Sequence, residues 1–291
     1  MPYRYRVVDV FTTEPFEGNP LAVFPNASGM DDRTMQKIAK EMNLSETTFV
    51  LPPTRPDCAA QVRIFTPTRE MLFAGHPTVG TSFVLISEGA VPRTQDRFIL
   101  EEKIGPVPVR VEPGERPRIW LTTPPITWGA AYDRSRCADA LGLQTDDLLD
   151  IAPQLVSAGN PNIFIPLKSR SAVDRSWLDL AGLRKIKGTD PDAICIFVFA
   201  PETEGAYSRM FAPEHGVMED PATGSATGPL AAYMMKHGLA ASAAGTQFRS
   251  EQGTKMGRRS ILYVQINGDH GKDGIEVGGY VTPLVEASMT V

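Results

Sequence analysis

The chain repeats itself once, and that repeat restricts its fold more than any other feature. Around residue 63 it reads RIFTPTREMLFAGHPTVGT, and around residue 209 it reads RMFAPEHGVMEDPATGSAT. Arg63, Phe65 and Pro67 match Arg209, Phe211 and Pro213. After a two-residue difference in spacing, Pro77, Gly80 and Thr81 match Pro221, Gly224 and Ser225. Gly18-Asn19-Pro20 before LAVFP is echoed by Gly159-Asn160-Pro161 before NIFIP, and TTFVLPP from Thr47 by ICIFVFAP from Ile194. Three echoes in one order predict a duplicated domain, because a spacing of roughly 145 residues is domain-sized and far longer than a solenoid unit.

Turn-forming residues cluster in GERPRIWLTTPPITWG, Gly114 to Gly129. Accordingly we expect a first domain over 1–117, a linker over 118–129 and a second domain over 130–291, whose last strand can return to the first. TFVL, QVRIF, RFILE and VPVRVE are strand-like in the first half, and ICIFVF, ILYVQI and IEVGG in the second. Asp31 or Asp32 can cap a helix running to Asn43, with Met35, Ile38, Ala39 and Met42 on one face. The segments 77–88 and 221–237 are apolar nearly all round, as buried helices are. The fold class predicted is α+β: two pseudo-symmetric domains, each a mixed sheet or barrel around its own buried helix, with a cleft between them where a ligand could sit.

The repeated motif also carries chemistry. Proline suits the first helical turn, so Pro77 and Pro221 place His76 and Asp220 at equivalent N-cap positions. Free N–H groups at two helix starts could hold one carboxylate from opposite sides. Gly75, Gly80 and Gly224 would let a ligand approach the backbone, and Ser225 would add a hydroxyl. Each residue has a plain structural explanation, since Asp is a common N-cap and Ser is common in a first turn. The argument for function is that a titratable side chain stands at the same place in both copies. A helix N-terminus disfavours imidazolium and favours carboxylate, so a neutral His76 and an ionised Asp220 are expected. Glu46, in NLSETTFV, is not distinguished by local pattern from any surface glutamate.

Composition removes several function classes. A chain of 291 residues, 42% hydrophobic and 22% charged, can bury a large core as a globular protein. Its net charge of −5 comes with no basic run, which argues against nucleic acid as a partner. The longest apolar run, 193–200, is too short to span a bilayer, and MPYRYRVVDVF reads as a strand without a signal peptide. Cys58, Cys137 and Cys195 suggest neither a disulfide framework nor a zinc set, so a reducing, cytoplasmic setting is expected. Neither GxGxxG nor a P-loop occurs. Glu214, His215, Glu219 and Asp220 hint only weakly at a metal, and GSATG around Ser225 is not a nucleophile elbow.

EMNLSETTFV, RIFTPTREMLFAGHPTVGT and RMFAPEHGVMEDPATGSATGPLA, together with GNPLAVF and EQGTKMGRRS, resemble the signature segments of the PhzF-like family. That family shares the diaminopimelate epimerase fold. The resemblance implies a homodimeric, cofactor-free isomerase that binds a small anthranilate-like carboxylate. It implies Glu46 as the proton-shuttling acid/base, with His76 and Asp220 as catalytic partners. Gly75, Gly224 and Ser225 would grip the substrate carboxylate, and no metal is expected. Racemases similar in fold carry a cysteine at each helix start. Here those places hold His76 and Asp220 or Pro221, so a two-thiol racemase is not expected.

Overall fold

The computed structural model describes residues 2–188, 194–271 and 274–291. These fall into two compact units, Met1–Thr122 with Val277–Val291, and Thr123–Glu276.

The first unit contains β1 (Pro2–Val10), β2 (Asn19–Phe24), α1 (Asp32–Met42), β3 (Glu46–Leu51), β4 (Ala60–Phe65) and β5 (Glu70–Met71). These are followed by α2 (Gly75–Ser87), β6 (Arg97–Glu102), β7 (Gly105–Glu112) and β8 (Arg118–Thr122). β1 and β2 are antiparallel, β2 and β3 parallel, and β3 and β4 antiparallel. β4 then pairs antiparallel with β5 and parallel with β6, and β6 antiparallel with β7.

The second unit holds β9 (Thr127–Ala131), α3 (Arg134–Ala140), β10 (Gln154–Ser157), β11 (Pro161–Pro166), α4 (Arg170–Arg175) and α5 (Leu180–Lys187). It continues with β12 (Cys195–Glu202), β13 (Gly205–Ala212), β14 (Val217–Asp220), α6 (Gly224–Lys236), β15 (Gln247–Gln252) and β16 (Ser260–Ile266). β10 through β16 repeat the scheme pair for pair: antiparallel, parallel, antiparallel, then β13 antiparallel to β14 and parallel to β15, and β15 antiparallel to β16. β17 (Ile275–Gly279) spans the boundary between the units. β18 (Val281–Thr290) lies along β1, from Val10↔Val281 to Pro2↔Thr290.

Much of the repeated motif proves to be scaffold. Arg63 on β4 stacks over Phe65 and pairs with Glu70 on β5, at 2.7 Å. Arg209 on β13 stacks over Phe211 and grips Glu219 on β14 through two 2.8 Å bonds. In each unit this arginine ties a short strand to the long one beside it.

Each long helix is held against its sheet by close packing. α2 is buried on nearly every side, Val79, Val84 and Leu85 included, each such side chain contributing roughly 1.5–3 kcal/mol. A Cβ on Gly80 would lie 2.6 Å from Leu21 and 2.8 Å from Val10, so only glycine allows this approach. On α6, a Cβ at Gly228 would fall 2.2 Å from the Thr123 hydroxyl. In β12 the alternation serves two cores: Ile196, Val198 and Ala200 join the layer of α3–α5, while Phe197 and Phe199 join that of α6. Ala193, at the start of the apolar run 193–200, lies outside the described residues, as does Met1.

Three expectations need correcting. The linker expected over 118–129 is mostly strand, with only Thr123–Ile126 between β8 and β9. Its prolines, Pro124 and Pro125, and Pro117 just before it flank the strands and interrupt neither. The second unit runs over Thr123–Glu276 where 130–291 was expected, and the last strand returns to the first unit, as that expectation allowed, through the β1–β18 ladder. The helix starts also differ from those the prolines suggested, with consequences for the site. Among the described residues, no helix is long and apolar enough to cross a membrane.

Candidate active site

In the first unit, Glu46 and His76 meet. Glu46 opens β3, three residues beyond Asn43, which ends α1 in the left-handed conformation. α1 is capped by Asp31, whose carboxylate accepts from Thr34 N at 2.7 Å. Leu21 is the register partner of Glu46, so β2 sets the carboxylate's height along the sheet. His76 lies in the first turn of α2. Its Nε2 is 3.4 Å from Glu46 Oε2, and its Nδ1 is 3.1 Å from the Asn19 amide nitrogen. A bond between Thr48 and Thr81, 2.9 Å and buried, fastens β3 to α2. The ring of His76 is 3% exposed, and burial pushes its pKa down to about 3, so it is neutral over the working range. The expected neutrality therefore comes from burial.

His76 was expected as an N-cap, but Ala74 holds that position and has no capping side chain. A residue distant in sequence substitutes. Glu102, at the end of β6, accepts hydrogen bonds from the Ala74 N–H and the Thr78 hydroxyl. It is 4% exposed, and burial raises its pKa to about 8 against those two bonds, so the group is a neutral acid at pH 7. Its position in a strand pattern gave no signal of this role.

In the second unit, Asp220 ends β14, and α6 begins only at Gly224, with Thr223 as its N-cap. Asp220 is thus not an N-cap, and the equivalence with His76 suggested by the prolines is one of sequence only. The three residues between are clamped. Gln252 donates from Nε2 to the Asp220 carbonyl at 2.7 Å and to Thr223 Oγ1 at 3.0 Å, and its oxygen accepts from Thr223 N at 3.1 Å. Thr223 in turn donates to Asp220 Oδ2 at 2.6 Å. Gly253 presses on the same loop, since a Cβ there would lie 2.5 Å from the Pro221 carbonyl. Gly224 and Ser225 form the first turn of α6, buried, and Asn160 donates to Ser225 Oγ at 3.4 Å.

Glu46, Gly75 and His76 therefore share one cluster, and Asp220, Gly224 and Ser225 another. Sequence reasoning missed Asn19, Asn160, Thr223, Gln252 and Glu102. The two asparagines lay in the repeated Gly-Asn-Pro, so the repeat itself was the available signal. Glu214 and Glu219, weighed for a metal, are engaged by Lys187 and Arg209. The buried cysteines sit elsewhere: Cys58 before β4, Cys137 in α3 and Cys195 in β12.

A family model described as phenazine biosynthesis-like protein, PhzC-PhzF, matches residues 8–287. The trans-2,3-dihydro-3-hydroxyanthranilate isomerase of Pseudomonas aeruginosa is 36% identical over 280 residues, covering 95% of each chain. A PhzF-family phenazine biosynthesis protein from Bacillus anthracis superposes with a TM-score of 0.87 at 24% identity, covering 100% of both chains. A probable proline racemase from Agrobacterium radiobacter gives 0.67 at 14% identity, covering 99% of this chain and 93% of the other, a likeness of fold alone.

Proposed function

The chain belongs to the phenazine biosynthesis-like PhzC-PhzF family and is an isomerase; from that premise we propose that it moves a proton and a double bond on a small cyclic amino or hydroxy carboxylate, with Glu46 as the acid/base. The observation that carries this reading is the contact between the Glu46 carboxylate and a buried, neutral His76. Glu46 would take a proton from one ring carbon and return it to another on the same face. The electron pair of the broken C–H bond shifts the double bond meanwhile, and the atoms balance without a redox carrier or second reactant. We therefore read the reaction as cofactor-independent.

Asp220, ordered by Thr223 and Gln252, suits a substrate amino or ammonium group. Gly75 in the first turn of α2, and Gly224 and Ser225 in that of α6, each offer N–H or hydroxyl donors of the kind a carboxylate accepts from. The relative from Pseudomonas aeruginosa makes trans-2,3-dihydro-3-hydroxyanthranilate the first substrate to try. The reading includes a homodimer, which light scattering would report as twice the chain mass.

The test is proton NMR of that compound in D2O with the protein, run beside Glu46→Gln. Substrate loss with deuterium uptake that depends on Glu46, allowing for partial return of the original proton, supports the reading. Binding without turnover would point to another substrate of similar shape. Neither binding nor turnover would remove this substrate class.

A further inference from the structure

We propose that Asn19 and Asn160, the asparagines of the two Gly-Asn-Pro segments, are positioning residues that make His76 and Ser225 committed hydrogen-bond donors, Asn19 by fixing the His76 ring proton on Nε2. The proposal deepens the isomerase reading and rests on it for its kinetic consequences only.

The argument begins with what an amide can do. The amide nitrogen of Asn19 donates and cannot accept, and it lies 3.1 Å from His76 Nδ1. Nδ1 must then be the acceptor, and a neutral imidazole accepting there carries its proton on Nε2. The ring is neutral because it is buried away from water. Nε2–H therefore faces Glu46 Oε2, 3.4 Å away. The opposite amide orientation would set an oxygen against Nδ1 and force the proton there. The Nε2 lone pair would then confront the Glu46 carboxylate at the same distance, a repulsive arrangement in a buried place.

The second unit makes the same arrangement from the same motif. Asn160 donates through its amide nitrogen to Ser225 Oγ. The Ser225 oxygen is occupied as an acceptor, which leaves its own O–H to donate elsewhere. A further amide, Asn162, donates to the Asn160 carbonyl at 3.0 Å and braces this turn. The glycines explain why the motif is built this way. Gly18 has φ +67°, and a Cβ there would lie 2.4 Å from the Val10 carbonyl, so the chain can enter β2 here only through glycine. Gly159 has φ +102° ahead of β11.

The chemical result, in each unit by itself, is a neutral side chain that donates. A donor facing Glu46 suits a carboxylate that starts the cycle as the base. His76 does not compete for the proton being moved. Ser225 has its hydrogen free for an anionic ligand, which fits a carboxylate substrate.

The experiment uses the full-length protein labelled with nitrogen-15 histidine. The chain has four histidines, and His76→Gln identifies the signals of His76. Long-range nitrogen–proton correlations at neutral pH should show a His76 ring protonated on Nε2 alone. Asn19→Asp, whose carboxylate can only accept, should move the proton to Nδ1 or leave both nitrogens protonated, and kcat should fall about 10- to 100-fold. Asn160→Ala should raise KM for the carboxylate substrate about 5- to 10-fold with little change in kcat.

A wild-type ring protonated on Nδ1 would overturn the Asn19 assignment without any variant having to fold, and so would a tautomer indifferent to Asn19→Asp. An unchanged KM in Asn160→Ala would overturn the Ser225 half. If the wild type shows the Nε2 tautomer but turns over no dihydroanthranilate, the isomerase substrate is wrong while the tautomer assignment stands.

Discussion

Gln252 makes three buried hydrogen bonds to the loop between β14 and α6, one to the Asp220 carbonyl and two to Thr223. Gln252→Leu keeps the volume and leaves the Thr223 N–H and the Asp220 carbonyl without that partner. Each buried polar group so stranded costs about 1–3 kcal/mol, so urea unfolding should report a loss of about 2–5 kcal/mol. Thr223→Val probes a different effect, because it removes the hydroxyl that donates to Asp220 Oδ2 and accepts from Gln252 Nε2, while the other two Gln252 bonds remain. A hydrogen bond to a charged group is worth about 1.5–3 kcal/mol, so kcat/KM should fall about 10- to 100-fold. Stability should change less than in Gln252→Leu, and equal losses in both assays would mean the loop is only structural. At this scale the sequence was partly legible. His76, Asp220 and Ser225 came from the repeated motif and Glu46 from the resemblance, and the structure puts Glu46 and His76 in contact. Gln252 lay inside the quoted EQGTKMGRRS but had no role. Its partners are some thirty residues away, and local pattern cannot report a contact made by tertiary folding.

The long helices were predicted from apolar runs, and both form, but their first residues were misplaced. Proline at the first turn is a preference set by local backbone; each actual start is set by a partner distant in sequence. α2 begins before Pro77 because Glu102 satisfies its first turn from β6. α6 begins after Pro221 because Gln252 and Gly253 hold the preceding loop. α3, α4 and α5 went unseen, being at most eight residues long with too few turns for a periodic signal. Gly80, noted in the sequence for backbone access, turns out to serve packing. In Gly80→Ala the new methyl gains roughly 0.8–1.0 kcal/mol of helix propensity. It also meets Leu21 and Val10 well inside contact distance, and overpacking of this kind costs about 1–3 kcal/mol. The clash should win, lowering the thermal midpoint by several degrees. A stabilised Gly80→Ala would show that β1 and β2 can move away from α2.

At the scale of the whole molecule, the repeat in the sequence reappears as one strand-pairing scheme in both units, yet their buried titratable groups differ, and stability as a function of pH records the difference. In the first unit Glu102 has a folded pKa of about 8 against an ordinary 4.5. Between those values the folded protein holds a proton that the unfolded chain has released. The stability contributed by the neutral acid is full below pH 4.5 and is lost as pH rises through 8. His76 works in the other direction. Its folded pKa near 3 lies below the ordinary 6.5, so its contribution is full above pH 6.5 and is lost as pH falls towards 3. His237, also lowered by burial, adds to that acid-side loss. Between pH 4.5 and 6.5 the two trends oppose each other, and the curve should be shallow. Between pH 6.5 and 8 Glu102 acts without opposition from histidine. A difference of one bound proton changes stability by about 1.4 kcal/mol per pH unit, so denaturant unfolding should lose about 2 kcal/mol across that interval. Glu102→Gln keeps an oxygen for Ala74 N–H and Thr78 and cannot ionise, so its curve should be flat there and cross above the wild type near pH 8. Parallel slopes in the two proteins would mean that Glu102 is ionised in the fold, and that α2 begins on a buried carboxylate and not on a neutral acid.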